Sequence, residues 1–245
     1  MDPVRFTTIA HRDHVFCSPL FGAKVDRVLG MLAIAPGDRV LEVGCGKGEV
    51  LVRLLERLRV SAMGVDPNPA FLEEARGRAA ARAPGAALEL IAAKASDAGL
   101  RREFRLGIAI GATHAFGGYR ETLRALRDLV VPGGWVLVGE GYWKCDPDPG
   151  YLSLLGSTPA EFTDHEGNAR VALEEGLAPL EACESTDAEW DHYEDTYAQA
   201  VRRHLAEHPD DPDRDAMRER IERWRDGYLR WGRQTLGFGL YLFRT

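Results

Sequence analysis

One segment of this chain constrains the fold more than any other. Residues 40–50 read VLEVGCGKGEV: an apolar strand with an acidic residue, glycines at positions 44, 46 and 48, and the start of a helix. Glycine lets the backbone turn tightly and approach a ligand, and the first turn of a helix offers unpaired N–H groups to an anionic group. The spacing is neither the dinucleotide loop GxGxxG nor a P-loop, because no Ser or Thr follows Lys47. We therefore predict a strand–loop–helix unit that binds a small, partly anionic ligand other than a nucleoside triphosphate.

The surrounding chain reads as a parallel sheet with crossover helices. From Arg39 to Trp143, segments of helical period separate five short apolar runs: RVLEVG, SAMGVD, LELIAA, LGIAIGA and GWVLVGE. VPGG, residues 131–134, predicts a helix end and a sharp turn before the fifth strand. Beyond Trp143 we expect a helix in NARVALEEG, a sixth strand in LAPLEACEST and a last strand in LGFGLYLFRT.

The segment between the sixth and last strands carries no strand signal. Its second half places aromatic and aliphatic residues at steps of four and three, which predicts one stripe of a long amphipathic helix: Met217, Ile221, Trp224, Tyr228 and Trp231. Packing against the sheet edge is the commoner use of such a stripe, and the same holds for Trp190 and Tyr193. The alternative is a lid that excludes water from a bound substrate.

Composition excludes several classes of protein. A content of 45% hydrophobic and 28% charged residues suits a chain with a sizeable core. The net charge of −7 argues against a nucleic-acid partner held by phosphate contacts. No apolar run is long enough to span a membrane and no signal peptide is evident, so we expect a cytoplasmic protein. The four cysteines show no CxxC pair, which favours reduced thiols over disulfides or zinc.

Two aspartates follow neighbouring strands. Asp66, in GVDPNP, ends the second strand, where a carboxylate can accept hydrogen bonds from both hydroxyls of a ribose. Asp97, in KASDAG, follows the third strand. The alternative for each aspartate is that it only caps the helix that comes next.

As an ordered set, these motifs resemble the class I S-adenosylmethionine-dependent methyltransferases. The similarity covers residues 39–142 and rests on the order of motifs that are individually weak. It implies S-adenosylmethionine as cofactor and S-adenosylhomocysteine as product. It also implies these cofactor contacts: Glu42, Gly44, Cys45, Gly46 and Gly48 for the methionine part, Asp66 for the ribose, Pro67 and Asn68 near the adenine, Asp97 with its neighbour Ser96 for the adenine amino group, and Gly111 beside the sulfonium.

A closer likeness extends over nearly the whole chain. GATHAFGG, GEGYW, EWDHYE and LGFGLYLF resemble a bacterial YjhP-like group of small-molecule methyltransferases, a likeness that names no acceptor. We accordingly expect one α/β domain over residues 1–245, with a Rossmann-like seven-stranded mixed sheet. Its parts are an N-terminal helical cap (1–38), a cofactor-binding core (39–143), substrate-side elements with a helical lid (144–236) and the final strand (237–245).

His114 is the candidate catalytic residue. It lies three residues after Gly111, and ligands of doubly wound sheets bind beyond the carboxyl ends of the strands. An imidazole there could deprotonate a hydroxyl or ammonium acceptor. Hydrogen bonding to the substrate and a purely structural role in the loop stay open, because methyl transfer depends mainly on aligning two reactants.

Other residues are candidates for the acceptor pocket. We expect Phe16, with Leu20 and Phe21, to fold over the cofactor as part of the cap. The remaining substrate candidates are Phe116, Glu140, Tyr142, Trp143, Trp190 and Tyr193.

Metal is not expected at this site. The loop lacks the acidic residue of metal-dependent catechol-type methyltransferases. His11, His14 and Cys17 are spaced by threes, but a transition-metal site needs another ligand and none is evident.

The expected activity is metal-independent methyl transfer to an oxygen or nitrogen of a small molecule, by a monomer or homodimer. One rival is a protein or RNA methyltransferase, which the acidic charge disfavours. The other is a non-catalytic S-adenosylmethionine-binding regulator, since a fold does not fix a function.

Overall fold

A seven-stranded sheet organises the molecule. The computed structural model describes all residues, Met1–Thr245. Its strands are β1 Arg39–Val43, β2 Ser61–Val65, β3 Ala87–Ile91, β4 Phe104–Ile110, β5 Val130–Trp143, β6 Ala178–Glu184 and β7 Leu236–Arg244. The spatial order is β3-β2-β1-β4-β5-β7-β6; β1 to β5 are parallel and β7 is antiparallel to both its neighbours. This confirms the Rossmann-like mixed sheet of the class I methyltransferase fold.

Helices cover both faces of the sheet and build the regions outside it. They are α1 Pro3–Ala10, α2 Gly22–Leu29, α3 Glu49–Arg57, α4 Pro69–Arg82, α5 Tyr119–Leu129, α6 Pro149–Leu155, α7 His165–Glu174, α8 Asp187–Glu207, α9 Arg214–Gly227 and the short α10 Arg233–Thr235. Their ends follow local chemistry: α8 starts at a capping box in which Thr186 and Glu189 exchange side-chain and backbone hydrogen bonds. None of the helices is both long and apolar enough to cross a bilayer.

Strand β7 joins the hydrophobic clusters on the two faces of the sheet. Leu240 and Leu242 belong to the larger cluster, while Tyr241 and Phe243 belong to the cluster on the opposite face. All four side chains are fully buried. Alternate residues of a strand point to opposite faces, so one strand serves both. The last predicted strand is therefore an interior strand of the sheet.

The turn predicted at VPGG lies within the range of β5. Val130 already pairs with Phe104, and the next pair in the register is Trp135 with Leu106. Residues 131–134 thus bulge out of the ladder, with Gly133 at φ 70°. The strand begins four residues earlier than the apolar run suggests, because Val130 is hydrogen-bonded at the sheet before the turn.

The insertion between β6 and β7 packs on the N-terminal helix. Phe6 of α1, Val201 of α8 and Met217 and Ile221 of α9 form one buried cluster. The predicted helical stripe is thus buried at its start. After Gly227 the chain forms a π-helical turn, Tyr228–Gly232, before α10.

Candidate active site

The glycine loop has the backbone that its sequence predicts. Gly44, Gly46 and Gly48 have φ values of 67°, 51° and 67°, in the left-handed region that side chains disfavour. A Cβ on Gly44 would lie 2.2 Å from the Cβ of Ala112, so this position also needs glycine for space. At Gly46 the closest contact would be 3.6 Å away, to Cys17 Sγ. Gly44 is therefore required for space as well as for its φ value, whereas a Cβ at Gly46 would make only an ordinary contact.

Asp66 ties the loop to the end of β2. Its two carboxylate oxygens accept hydrogen bonds from Gly46 N and Asn68 N, each at 2.8 Å. Burial raises the pKa of Asp66, and these two hydrogen bonds oppose that rise. The α4 N-cap is Asn68, whose side chain accepts from Ala70 N and donates to Thr8 Oγ1. Asp66 is therefore not the helix cap, whereas Asn68 is occupied by capping.

The adenine-side candidates lie at the surface. Pro67, Ser96 and Asp97 are exposed, and Ser96 Oγ donates to Asp97 Oδ1 at 2.9 Å. Asp97 ends a single 3-10 turn, Ala95–Asp97, which β4 follows without an intervening α-helix. The capping alternative for Asp97 therefore has no helix to cap.

Glu42 is a buried acid with an unsatisfied atom. It is 3% exposed, and its Oε2 has no hydrogen-bond partner. Burial, with Asp66 nearby, raises the pKa of Glu42 well above its usual range. An unpaired buried carboxylate oxygen is costly, so a ligand that donates a hydrogen bond here would relieve that cost. Glu42 lines a small hollow over the loop together with Gly44, Cys45, Gly46 and Ile110.

The hollow adjoins the main cavity of the molecule. This cavity measures about 320 Å³. It lies at the carboxyl ends of β4 and β5 and the start of β7, and helices α6, α8 and α9 enclose it. Cys17 and Ser18 line both spaces. A ligand on the glycine loop and a second molecule in the cavity would therefore be neighbours.

Five of the predicted site residues line this cavity: Gly111, His114, Glu140, Trp190 and Tyr193. His114 is exposed within the 3-10 turn Thr113–Phe116. Glu140 is 7% exposed, accepts from Gly141 N at 2.7 Å, and burial raises its pKa. Gly111, at the position expected beside the sulfonium, has φ 67°, and a Cβ added there would make an ordinary contact with Ser18 Cβ at 3.9 Å.

Four other substrate candidates do not line it. Tyr142 donates its hydroxyl to Glu184 of β6. Trp143 lies behind the wall, with Nε1 donating to Pro159 O at 2.9 Å. Phe116 packs against the hydrophobic clusters, and Phe16 lines the hollow over the glycine loop.

Several other residues that line the cavity were not predicted from the sequence. Glu194 and Glu161 bring carboxylates to the cavity, and Tyr151 and Phe162 bring aromatic rings. Glu194 lies four residues after Trp190 on α8, so the helical period places both on one face. This spacing is the sequence signal that could have identified Glu194. Nothing in the sequence around Glu161 or Phe162 marks them.

The N-terminal histidines hydrogen-bond to α8. His11 Nε2 lies 2.9 Å from Tyr193 Oη, and His14 Nε2 lies 3.0 Å from Tyr193 O. Burial lowers the pKa of His11 to about 4. No group of three or more His, Cys, Asp or Glu residues is arranged to hold a metal. The His11, His14 and Cys17 spacing therefore does not form a metal site with further ligands.

The chain after α1 closes over the glycine loop. Lys47, within that loop, is 2% exposed; its Nζ donates to Arg12 O at 2.8 Å and pairs with Glu74 at 3.0 Å. Arg78 of α4 donates to the carbonyls of His14 and Val15. Residues 11–18 are thereby held against the loop from two directions.

Comparisons with known proteins place the chain among relatives of full length. A family model described as "Methyltransferase domain" matches residues 40–134. Escherichia coli (strain K12) YjhP is 25% identical over 98% of each chain. A crystal structure of a SAM-dependent methyltransferase from Geobacter sulfurreducens, in complex with S-adenosyl-L-homocysteine, has a TM-score of 0.91 at 25% identity over 98% of this chain and 97% of that one. The X-ray structure of YjhP has a TM-score of 0.89 at 25% identity over 98% of each chain. The similarity therefore includes the N-terminal segment and the helical insertion.

Proposed function

Because the chain is a class I methyltransferase similar to YjhP throughout its length, we propose that it transfers a methyl group from S-adenosylmethionine to an oxygen or nitrogen of a small molecule. The observation that carries this proposal is the cavity of about 320 Å³ beside the glycine loop, since such a volume suits a small ligand. The proposal includes a metal-independent reaction by a monomer or homodimer in the bacterial cytoplasm.

The residues around the loop fit the cofactor. Glu42 offers an unpaired carboxylate oxygen to the ammonium group of the cofactor's methionine part. Asp66 and Asp97 are the ribose and adenine candidates. When bound, S-adenosylmethionine supplies an electrophilic methyl group on a sulfonium.

The cavity residues have separable roles. Gly111 lines the cavity at the end of β4, and the aromatic residues of α8 and α9 position the acceptor. His114 accepts the proton that the acceptor loses, and its exposure lets that proton pass on to solvent.

The test is transfer of an isotope-labelled methyl group from S-adenosylmethionine into a cell extract that is then separated into small-molecule, protein and RNA fractions. We expect label in a discrete small molecule, identified by its mass shift. Asp66→Ala is the control that lacks the ribose carboxylate and should transfer no label. Label confined to protein or RNA would overturn the proposal, as would no label despite measurable cofactor binding.

A further inference from the structure

The charges around the cavity point to one class of acceptor. We propose that the cavity binds a small amine as its ammonium ion, between the carboxylates of Glu140, Glu161 and Glu194 and the aromatic rings of α8 and α9, and that this nitrogen is methylated. The inference rests on the proposed function and narrows its acceptor from oxygen or nitrogen to a cationic amine.

Glu194 is the strongest single observation. Its side chain is almost completely buried, at 2% exposure, and it lines the cavity. Trp224 Nε1 donates to Glu194 Oε2 at 2.9 Å, whereas Oε1 accepts no hydrogen bond from the protein. A carboxylate withdrawn from water needs a partner for each oxygen. The free oxygen is placed to accept from an ammonium.

The other two carboxylates lie on different walls. Glu140 is on β5, where its neighbour Gly139 pairs with Ile110 just before Gly111. It is therefore close to the expected position of the methyl group. Glu161 is exposed, in the turn before Phe162, and lies at the cavity rim. The carboxylates thus extend from the rim to the strand ends.

No lysine or arginine lines the cavity, and His114 is its only basic side chain. The guanidinium of Arg225 acts electrostatically on Glu194, but it pairs with Asp195 at 2.5 Å. The negative charge of the three carboxylates is therefore compensated only in part, by Arg225 acting on Glu194 from outside the lining. An anionic acceptor would add to that charge, and a neutral one would leave it unbalanced.

Aromatic rings supply the rest of the wall. Trp190 stacks on Tyr228 with ring centroids 6.4 Å apart, and Tyr193 meets Trp190 edge to face at 6.2 Å. Trp224 completes the set. The faces of such rings attract cations, and tryptophan does so most strongly. Carboxylates together with aromatic faces favour an ammonium over a hydroxyl group.

The ionisation of the buried acids agrees with this geometry. Burial raises the pKa of Glu194 to about 7 and also raises that of Glu140. A bound ammonium would supply the missing positive charge and stabilise both carboxylate forms.

The reaction balances without another reactant. The bound ammonium gives one proton to His114, which frees the nitrogen lone pair. The lone pair forms a carbon–nitrogen bond to the methyl group as the carbon–sulfur bond breaks. The electrons of that bond remain on sulfur, so the products are the methylated ammonium ion, S-adenosylhomocysteine and protonated His114.

The first experiment is calorimetric binding of three probes of similar shape to protein saturated with S-adenosylhomocysteine. They are phenethylamine, 2-phenylethanol and 3-phenylpropionate, at a pH of about 8, where an aliphatic amine is still charged. We expect phenethylamine to bind roughly tenfold or more tightly than the other two. Equal or tighter binding of the alcohol or the acid would overturn the inference, and so would absence of binding by phenethylamine, cyclohexylamine and benzyltrimethylammonium alike.

Matched variants locate the effect. Glu194→Gln keeps the size of the side chain and a hydrogen-bond acceptor for Trp224. It should therefore lower the affinity for phenethylamine roughly tenfold and leave the affinity for 2-phenylethanol unchanged. Glu166 is an exposed acid on α7 outside the cavity, so Glu166→Gln should change neither affinity. Glu161→Gln at the rim is the second test if Glu194→Gln folds poorly. Unchanged amine affinity in the folded variants would contradict the assignment.

Failure of this inference is distinguishable from failure of the proposed function. A labelled small-molecule product that is retained on a cation exchanger supports both. A labelled product that is neutral or anionic supports methyl transfer and overturns the amine. Label found only in macromolecules would overturn the proposed function. Phenethylamine binding that is no tighter than 2-phenylethanol binding would overturn the inference, whatever the labelling result.

Discussion

His114 occupies a position that its chain neighbours determine. The residues before it end β4 at Ile110 and reverse the chain through Gly111, so the imidazole arrives at the cavity wall. No hydrogen bond from the protein fixes its ring, in contrast to His11 and His14. The imidazole therefore lines the cavity without a hydrogen bond to the protein, and its nitrogens are available to a substrate.

Replacement of His114 tests that role. His114→Asn removes the base while keeping a polar side chain, so we expect kcat to fall by about 10²-fold, the usual contribution of a general base. The affinity for S-adenosylhomocysteine, measured by calorimetry, should not change. His208→Asn, an exposed histidine after α8, is the control. A His114 variant with full turnover would remove this residue from the catalytic assignment.

Individual residues differ in how well the sequence predicts them. The glycine loop and Asp66 follow from local spacing, because a strand, a turn and a helix fix their geometry within a few residues. Tyr142 and Trp143 were predicted to line the cavity from a position after the fifth apolar run, but they are the last two residues of β5. Their polar groups instead bond to Glu184 and Pro159, distant in sequence. Such tertiary partners leave no periodic signal.

At the scale of elements, the segment 11–18 is the part that couples the cofactor loop to the acceptor cavity. Lys47 and Arg78 hold its backbone carbonyls, and Cys17 and Ser18 line both spaces. The sequence predicted an N-terminal cap with Phe16, Leu20 and Phe21, by similarity to related methyltransferases. It did not predict that Lys47 holds this segment, because a lysine within a glycine loop normally suggests a phosphate contact.

Removal of the Lys47 contacts should expose the segment 11–18 to solvent. Lys47→Met preserves much of the volume but removes the donor to Arg12 O, so we expect faster trypsin cleavage after Arg12 and a higher KM for S-adenosylmethionine. The change should be several-fold, since the charged hydrogen bond to Arg12 O and the ion pair with Glu74 are both lost. Lys94→Met, at an exposed position, is the matched control. Equal cleavage rates in the two variants would show that Lys47 does not hold the segment.

For the whole molecule, two buried groups make stability depend on pH in opposite directions. The pKa of Glu194 is about 7, above its usual value, so its contribution to stability is complete below about pH 4.5 and is lost as pH rises through 7. The pKa of His11 is about 4, below its usual value. Its contribution is present above about pH 6.5 and is lost as pH falls through 4.

Glu194→Gln should remove the first of these dependences. Relative to the unmodified protein, the variant gains about 2–3 kcal/mol in the free energy of unfolding between about pH 5 and pH 8, because glutamine does not ionise. Urea unfolding at the two pH values measures this gain. Glu166→Gln should show none. The same pH dependence in Glu194→Gln and the unmodified protein would mean that Glu194 titrates normally.

The position of β7 determines when the molecule can fold. A nascent chain that has emerged as far as β6 holds β5 and β6, but these strands are not neighbours; β7 separates them and pairs with both. During synthesis on the ribosome, the hydrogen-bonding edge of β5 therefore stays unpaired until the whole helical insertion and β7 have been made. Long-range pairing of this kind folds slowly. Newly made chains should accordingly depend on chaperones late in translation, and messages truncated before β7 should yield aggregates rather than a smaller enzyme.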